Sequence, residues 1–203
     1  MAQQELRQIY PNPSWVEHDP LEIWSNQLAT MRSALKNANI LASDIACVGI
    51  SNQRETTVVW NRKTGQPIYN AIVWQDRRSE LACAKLRQEG HDKLVQSKTG
   101  LVIDAYFSGT KLQWILDNVP QARDMAAKGE LAFGTVDTWL IWNLTKGRVH
   151  ATDVSNASRT MLLNVHTNQW DSELMSMLHI DSNLMPTVQA LSLIHISEPT
   201  RPY

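Results

Sequence analysis

The alternation of apolar and polar positions predicts helices and short strands in turn along most of the chain. Asp19-Pro20 is a good helix start, with a capping side chain followed by a proline at the first helical position. Apolar residues then recur at helical spacing: Leu21, Trp24, Leu28, Met31 and Leu35. An apolar run over 46–50 predicts a fully buried strand. A helix followed by a strand is typical of the α/β class.

The rest of the chain continues this pattern of short elements. Residues 61–65 form a predicted hairpin turn, and a strand candidate over 68–74 ends at Trp74. Helices are predicted over 79–89, 91–97, 111–118, 121–128 and 170–178. A strand over 130–136 precedes a tryptophan-rich helix over 138–144, for which Asp137 is the expected cap.

A dense polar segment separates the run over 46–50 from a β-branched and aromatic strand candidate over 56–60. It consists of Asn52, Gln53, Arg54 and Glu55. Ligand sites in α/β sheets form at the carboxyl ends of strands. A guanidinium beside a carboxylate at such a position would suit a ligand with several hydroxyl groups. The alternative is a solvated loop between two strands, which is the usual environment of charged pairs.

A second polar stretch, over 149–168, is rich in Thr, Ser and Asn. This density of short hydrogen-bonding side chains suits a structured loop near a site. It also suits ordinary turns, which are the commoner role of such residues.

Composition narrows the classes of protein to which the chain can belong. The formal net charge of the 203 residues is −1 and no basic stripe occurs, so no nucleic-acid partner is expected. No apolar run approaches the roughly 20 residues of a membrane helix, and no signal-peptide core follows Met1. Cys47 and Cys83 lie in apolar segments without metal-ligand spacing, which predicts two buried, reduced thiols. A cytoplasmic globular protein is therefore expected.

Several long motifs resemble the FGGY family of sugar and polyol kinases. The sequence Y-F-S-G-T-K-L-Q-W-I-L-D-N at 106–118 is similar to the first signature of that family. Segments 10–20, 52–57, 70–75, 134–142 and 152–162 are similar to other family motifs and follow the family's order. Because the motifs are long and ordered, the resemblance is specific. It covers residues 5–190.

The resemblance implies two actin-like (ribonuclease H-like) ATPase domains of the α/β class, with the active site in the cleft between them. Residues 1–190 would form most of the first domain, a mixed sheet flanked by helices but lacking its first strands. The motifs are most similar to those of family members that phosphorylate glycerol at a terminal hydroxyl, using ATP with Mg²⁺. Because the first strands of that domain are missing, the true amino terminus is expected upstream of residue 1.

Four residues acquire expected roles from the resemblance. Arg54 and Glu55 would hydrogen-bond the glycerol hydroxyls, Tyr106 would add a further hydroxyl contact, and Trp74 would pack its ring against the carbon backbone. These chemistries match a triol, since Arg donates, an ionised Glu accepts, and Tyr does either. For Trp74 and Tyr106 the alternative is ordinary core packing.

The resemblance places the other catalytic parts outside this chain. The phosphate-binding turn would lie upstream of residue 1, and the general-base aspartate and the nucleotide domain downstream of residue 190. Asp104, Asp137 and Asp153 match no motif for that base. Residues 1–190 are thus expected to bind neither ATP nor metal and to be inactive alone, while the complete protein would be a homo-oligomer. The alternatives are a kinase for another polyol or sugar, and a non-catalytic module that binds a polyol or a partner.

Residues 191–203 differ from the rest of the chain. Through Arg201 they resemble one reading frame of a common transposase-derived sequencing adaptor. We hypothesise that the biological sequence ends near Ala190.

Overall fold

The computed structural model describes residues 1–190, so the hypothesis on 191–203 lies outside the described residues. The strands are β1 (Glu17–His18), β2 (Val58–Asn61), β3 (Ala71–Ile72), β4 (Leu131–Gly134), β5 (Ala151–Asp153), β6 (Leu163–Asn164), β7 (Gln169–Trp170) and β8 (Thr187–Gln189). The helices are α1 (Pro20–Ala38), α2 (Glu80–Gln88), α3 (Asp92–Thr99), α4 (Ser108–Asn118), α5 (Ala122–Ala127), α6 (Val136–Leu144), α7 (Val154–Ala157) and α8 (Ser172–Met177). The predicted α/β class is confirmed.

The two ends of helix α1 are determined by residues next to them in the sequence. The Asp19 carboxylate accepts a hydrogen bond of 2.8 Å from the Leu21 N–H, and Pro20 occupies the first helical position. At the other end Asn39 takes a left-handed conformation, with φ of 54°, and closes the helix. The start of the helix lies where the sequence predicts it.

The strand pairs include both antiparallel and parallel arrangements. β2 pairs antiparallel with β4, from Val58 opposite Gly134 to Asn61 opposite Leu131. β1 pairs antiparallel with β3, and a bridge between Thr57 and Ile72 connects this pair to the β2–β4 pair. β5 and β8 pair in parallel. The β2–β4 pair separates two apolar clusters.

The larger apolar cluster lies on one side of the β2–β4 pair and includes Leu112 and Ile115 of α4. The smaller cluster lies around Trp60 of β2, whose ring is 5.2 Å from that of Trp139 and 5.6 Å from that of Trp142. The indole N–H of Trp139 donates to the carbonyl oxygen of Pro20 at 2.8 Å, which connects α6 to the start of α1.

The predicted buried strand over 46–50 is wrong. The segment has no strand assignment, and Val48 is 39% exposed. An apolar run becomes a buried strand only when a neighbouring strand pairs with it and a second layer covers it. Within residues 1–190 no strand pairs with this segment. Cys47 is consequently exposed, contrary to expectation, whereas Cys83 is buried as predicted.

No helix among residues 1–190 combines the length and the apolar character that crossing a membrane requires.

Candidate functional site

Glu55 lies in a tight turn immediately before β2, and the turn is fixed against α4. Its φ of +64° is left-handed, a conformation that a non-glycine residue adopts at a cost of about 1–2 kcal/mol. Its carbonyl oxygen accepts hydrogen bonds from the Ser108 hydroxyl at 3.1 Å and the Thr57 hydroxyl at 3.3 Å. These two hydrogen bonds hold the Glu55 backbone in this conformation.

The Glu55 carboxylate forms an ion pair with Arg159. The distance from Arg159 Nε to Glu55 Oε1 is 2.8 Å, and the Glu55 side chain is only 4% exposed. The Arg159 guanidinium carbon lies 4.9 Å from the centre of the Phe107 ring and 5.7 Å from that of the Tyr106 ring. Arg159 thus contacts the carboxylate and the two aromatic rings at the same time.

Trp74 and Tyr106 form the aromatic part of the site. Their ring centres are 5.6 Å apart in an edge-to-face arrangement. Trp74 is 38% exposed and Tyr106 is partly buried. The Trp74 ring is thus partly open to solvent and its edge-to-face partner is Tyr106.

Three of the four predicted site residues are therefore connected. Glu55 contacts Arg159, Arg159 lies over Tyr106, and Tyr106 contacts Trp74. Arg54 precedes Glu55 and is exposed, and its side chain makes no hydrogen bond or ion pair with another of residues 1–190. The arrangement offers a carboxylate acceptor, a guanidinium donor, a phenol hydroxyl and an aromatic surface, which together suit a small polyol.

Arg159 contacts Glu55 and Tyr106 but was not among the predicted site residues. Its signal was the polar stretch over 149–168, for which a structured loop and ordinary turns were both open. The structure supports the structured loop. Asp153 caps α7 by accepting from the Asn156 N–H at 2.9 Å, and the Asn156 amide donates to Asp137 at 3.1 Å. These contacts hold the turn that carries Arg159.

Asp137 is not the cap of the tryptophan-rich helix, contrary to expectation. α6 begins at Val136 with Thr135 as its cap, so Asp137 lies in the first turn. Its buried carboxylate accepts from the Thr135 hydroxyl and, at 2.9 Å, from the Thr152 hydroxyl. Burial raises the pKa of Asp137 above its ordinary value. This carboxylate holds β5 and α7 against α6.

Asp104, another aspartate that matches no motif for the base, likewise has structural partners. It accepts from the Tyr106 N–H at 2.8 Å and pairs with Arg77 at 2.6 Å. Among residues 1–190 no group of three or more His, Cys, Asp or Glu side chains is placed to hold a metal ion.

Residues 1–196 match the N-terminal domain of the FGGY family of carbohydrate kinases. The chain belongs to this family. This FGGY chain is 68% identical over 201 residues to a glycerol kinase of Polaromonas sp. strain JS666, covering 99% of the chain and 40% of that relative. It is 70% identical over 187 residues to a glycerol kinase of Acidovorax sp. strain JS42, covering 92% of the chain and 38% of the relative.

Solved structures show the same domain. The crystal structure of Plasmodium falciparum glycerol kinase with ADP superposes with a TM-score of 0.87 at 38% identity, covering 92% of this chain and 37% of that one. Gluconate kinase from Lactobacillus acidophilus gives 0.80 at 20% identity, covering 92% and 36%, which shows the fold alone. The predicted actin-like ATPase domain fold is confirmed. The chain spans about 40% of the length of the curated relatives that it matches.

Proposed function

We propose that the complete protein transfers the γ-phosphoryl group of ATP to a terminal hydroxyl of glycerol, and that residues 1–190 hold the glycerol. The observation that carries the proposal is the connected set of Glu55, Tyr106 and Trp74, with the exposed Arg54 beside it. High identity to two glycerol kinases over nearly the whole chain supports glycerol as the substrate.

Each residue has a role that follows from its chemistry. Glu55 accepts hydrogen bonds from glycerol hydroxyls, Arg54 and the Tyr106 hydroxyl supply further hydrogen bonds, and the Trp74 ring covers the CH groups. Once the cleft excludes water, each hydroxyl left unpaired would cost about 1–3 kcal/mol. Pairing each hydroxyl with its own partner therefore orients one terminal hydroxyl toward the γ-phosphoryl group. Holding the two reacting groups in this orientation raises the rate of transfer.

The phosphate chemistry is assigned outside residues 1–190. Magnesium-bound ATP would supply the phosphoryl group and offset the charge that develops on it. On the family resemblance we give residues 1–190 no role with Mg²⁺. The general base belongs, on this proposal, to a later part of the complete protein. We further propose a cytoplasmic homo-oligomer, on the family resemblance alone.

The test is a kinase assay on the complete protein expressed from its source gene. ADP release is measured with glycerol, xylulose and gluconate in parallel, and the product is identified by mass. We expect glycerol to be strongly preferred, with glycerol 3-phosphate as product. A preference for a sugar would replace glycerol by another family substrate, and inactivity with every compound would favour a non-catalytic binding module.

A further inference from the structure

We propose that Arg159 is a positioning residue that holds the Glu55 carboxylate and the Tyr106 ring in their relative places for polyol binding. The inference rests on the proposed function and assigns a role to a residue outside the four that were predicted. Arg159 lies 104 residues after Glu55 in the sequence, so their contact is a property of the folded domain.

The contact with Glu55 leaves one carboxylate oxygen for a ligand. Arg159 Nε donates to Oε1 at 2.8 Å, and Oε2 has no hydrogen-bond partner within residues 1–190. Hydrogen bonds between charged groups are shorter and stronger than neutral ones. With Oε1 held, rotation of the carboxylate is restricted and Oε2 keeps a fixed direction.

The same guanidinium lies against the aromatic part of the site. Its distances of 4.9 Å to the Phe107 ring and 5.7 Å to the Tyr106 ring fall within the range of cation–π attraction, about 6 Å. Tyr106 in turn contacts Trp74. A single side chain therefore sets the spacing between the hydrogen-bonding acceptor and the aromatic surface.

The backbone that carries Arg159 is fixed on both sides. Before it, α7 is capped by Asp153 and connected through Asn156 to the buried Asp137. After it, the carbonyl oxygen of Thr160 accepts from the Gly109 N–H at 2.8 Å, which joins this turn to the first turn of α4. Arg159 is thus 30% exposed but belongs to a rigid frame, unlike a mobile surface arginine.

The test uses steady-state kinetics of the complete enzyme and its Arg159→Gln, Arg159→Lys and Glu55→Ala variants. We expect Arg159→Gln to raise the KM for glycerol roughly 10- to 100-fold, as loss of a supporting contact does at other sites, with the KM for ATP unchanged. Arg159→Lys, which keeps the charge but loses the planar fork, should give a smaller rise. It also keeps the test decisive should Arg159→Gln fail to fold.

A double-variant comparison separates positioning from general stabilisation. If Arg159 acts through the carboxylate, adding Arg159→Gln to Glu55→Ala should raise the KM for glycerol by clearly less than it does in the wild type, because neighbours that share one contact are not additive. Equal losses in both backgrounds, or a wild-type KM for glycerol in Arg159→Gln and Arg159→Lys, would overturn the inference. Failure of the proposed function gives a different result, since the wild-type enzyme itself would then not phosphorylate glycerol.

Discussion

The backbone N–H of Gly109 donates to the carbonyl oxygen of Thr160 at 2.8 Å, and a Cβ atom at position 109 would lie 2.9 Å from that same oxygen. Gly109 belongs to the first turn of α4, and Thr160 follows Arg159. This close approach of two backbones sets the distance between Tyr106, just before α4, and the turn that carries Arg159.

Gly109→Ala should destabilise the protein. The added Cβ would also lie 2.9 Å from Leu178 Cδ1, and the backbone oxygen cannot move away without losing its hydrogen bond. Overpacking of this kind costs typically about 1–3 kcal/mol. Urea denaturation measures the change in the free energy of unfolding. Gly49→Ala is the control, because nothing lies within 4 Å of its added Cβ, and equal stability of the two variants would contradict the prediction.

Two consecutive arginines should differ strongly in their contribution to stability. The Arg78 side chain is fully buried, 2.7 Å from Glu17 and 2.8 Å from Asp76, and its guanidinium lies 3.8 Å from the centre of the Trp15 ring. Arg78→Met would leave two buried carboxylates without their cation, at an expected cost of about 3–5 kcal/mol.

Arg77→Met is the matched control for Arg78→Met. Arg77 is 42% exposed and pairs with Glu80 and Asp104, so its loss should cost no more than about 1 kcal/mol. Urea denaturation of the two variants measures the loss in the free energy of unfolding that each substitution causes. Similar losses for both would show that burial does not determine the contribution of these arginines.

The two cysteines should react with thiol reagents at very different rates. Burial raises the pKa of the Cys83 thiol to about 11, so little thiolate forms at neutral pH and the reagent cannot reach it. Cys47 is exposed. Mass spectrometry after brief labelling should find one modified thiol in the native protein and two in denaturant. The Cys47→Ser variant should show none until it unfolds, and rapid native labelling of that variant would contradict the structure.

His150 should make the protein less stable as the pH falls below neutral. Burial lowers the pKa of His150 to about 4, and its Nε2 donates to the carbonyl oxygen of Phe133 at 2.8 Å. Between about pH 6.5 and 4 the unfolded chain binds a proton at this residue that the folded protein does not, so the free energy of unfolding decreases with acidification, by roughly 1–3 kcal/mol from this group.

His150→Gln tests the origin of this acid sensitivity. The glutamine amide can still donate to Phe133 but does not titrate. Urea denaturation at neutral and at mildly acidic pH should therefore show a smaller loss of stability in the variant than in the wild type. An equal loss in both proteins would assign the effect to other groups.

Tyr106→Phe distinguishes a hydroxyl contact with glycerol from simple packing. The ring stays in contact with Trp74, so stability should change little, while loss of one hydrogen bond of about 1–1.5 kcal/mol should raise the KM for glycerol roughly tenfold. Tyr69→Phe is the control, because the Tyr69 hydroxyl donates to Glu17 at 2.8 Å within the fold. Tyr69→Phe should lower the stability of the protein and leave the KM for glycerol unchanged. A wild-type KM for glycerol in Tyr106→Phe would contradict the hydroxyl contact and show that Tyr106 acts by packing alone.

Features that depend on neighbouring residues could be read from the sequence. The start of α1 follows from Asp19 and Pro20, and Cys83 is buried as its apolar segment predicts. The segment over 46–50 could not be predicted in this way. Whether an apolar run is buried depends on strands elsewhere in the chain, and sequence pattern does not show whether they are present.

The candidate site likewise combines features that neighbouring residues determine with contacts between residues far apart in the sequence. The segment of Arg54 and Glu55 stood out as a dense polar stretch between two strand candidates, and the family motifs added Trp74 and Tyr106. The partner of Glu55 lies 104 residues away, and the Asp137 network connects β5, α6 and α7. Contacts at such separations are set by packing of the whole domain, which is why Arg159 and the role of Asp137 emerged only from the structure.

The most direct test of the account is a crystal structure of the complete protein with glycerol. We predict glycerol oxygens within hydrogen-bond distance of Arg54, Glu55 and the Tyr106 hydroxyl, its carbon atoms against the Trp74 ring, and the pair of Glu55 and Arg159 intact. Glycerol bound elsewhere, or bound here without contact to the Glu55 carboxylate, would contradict the account.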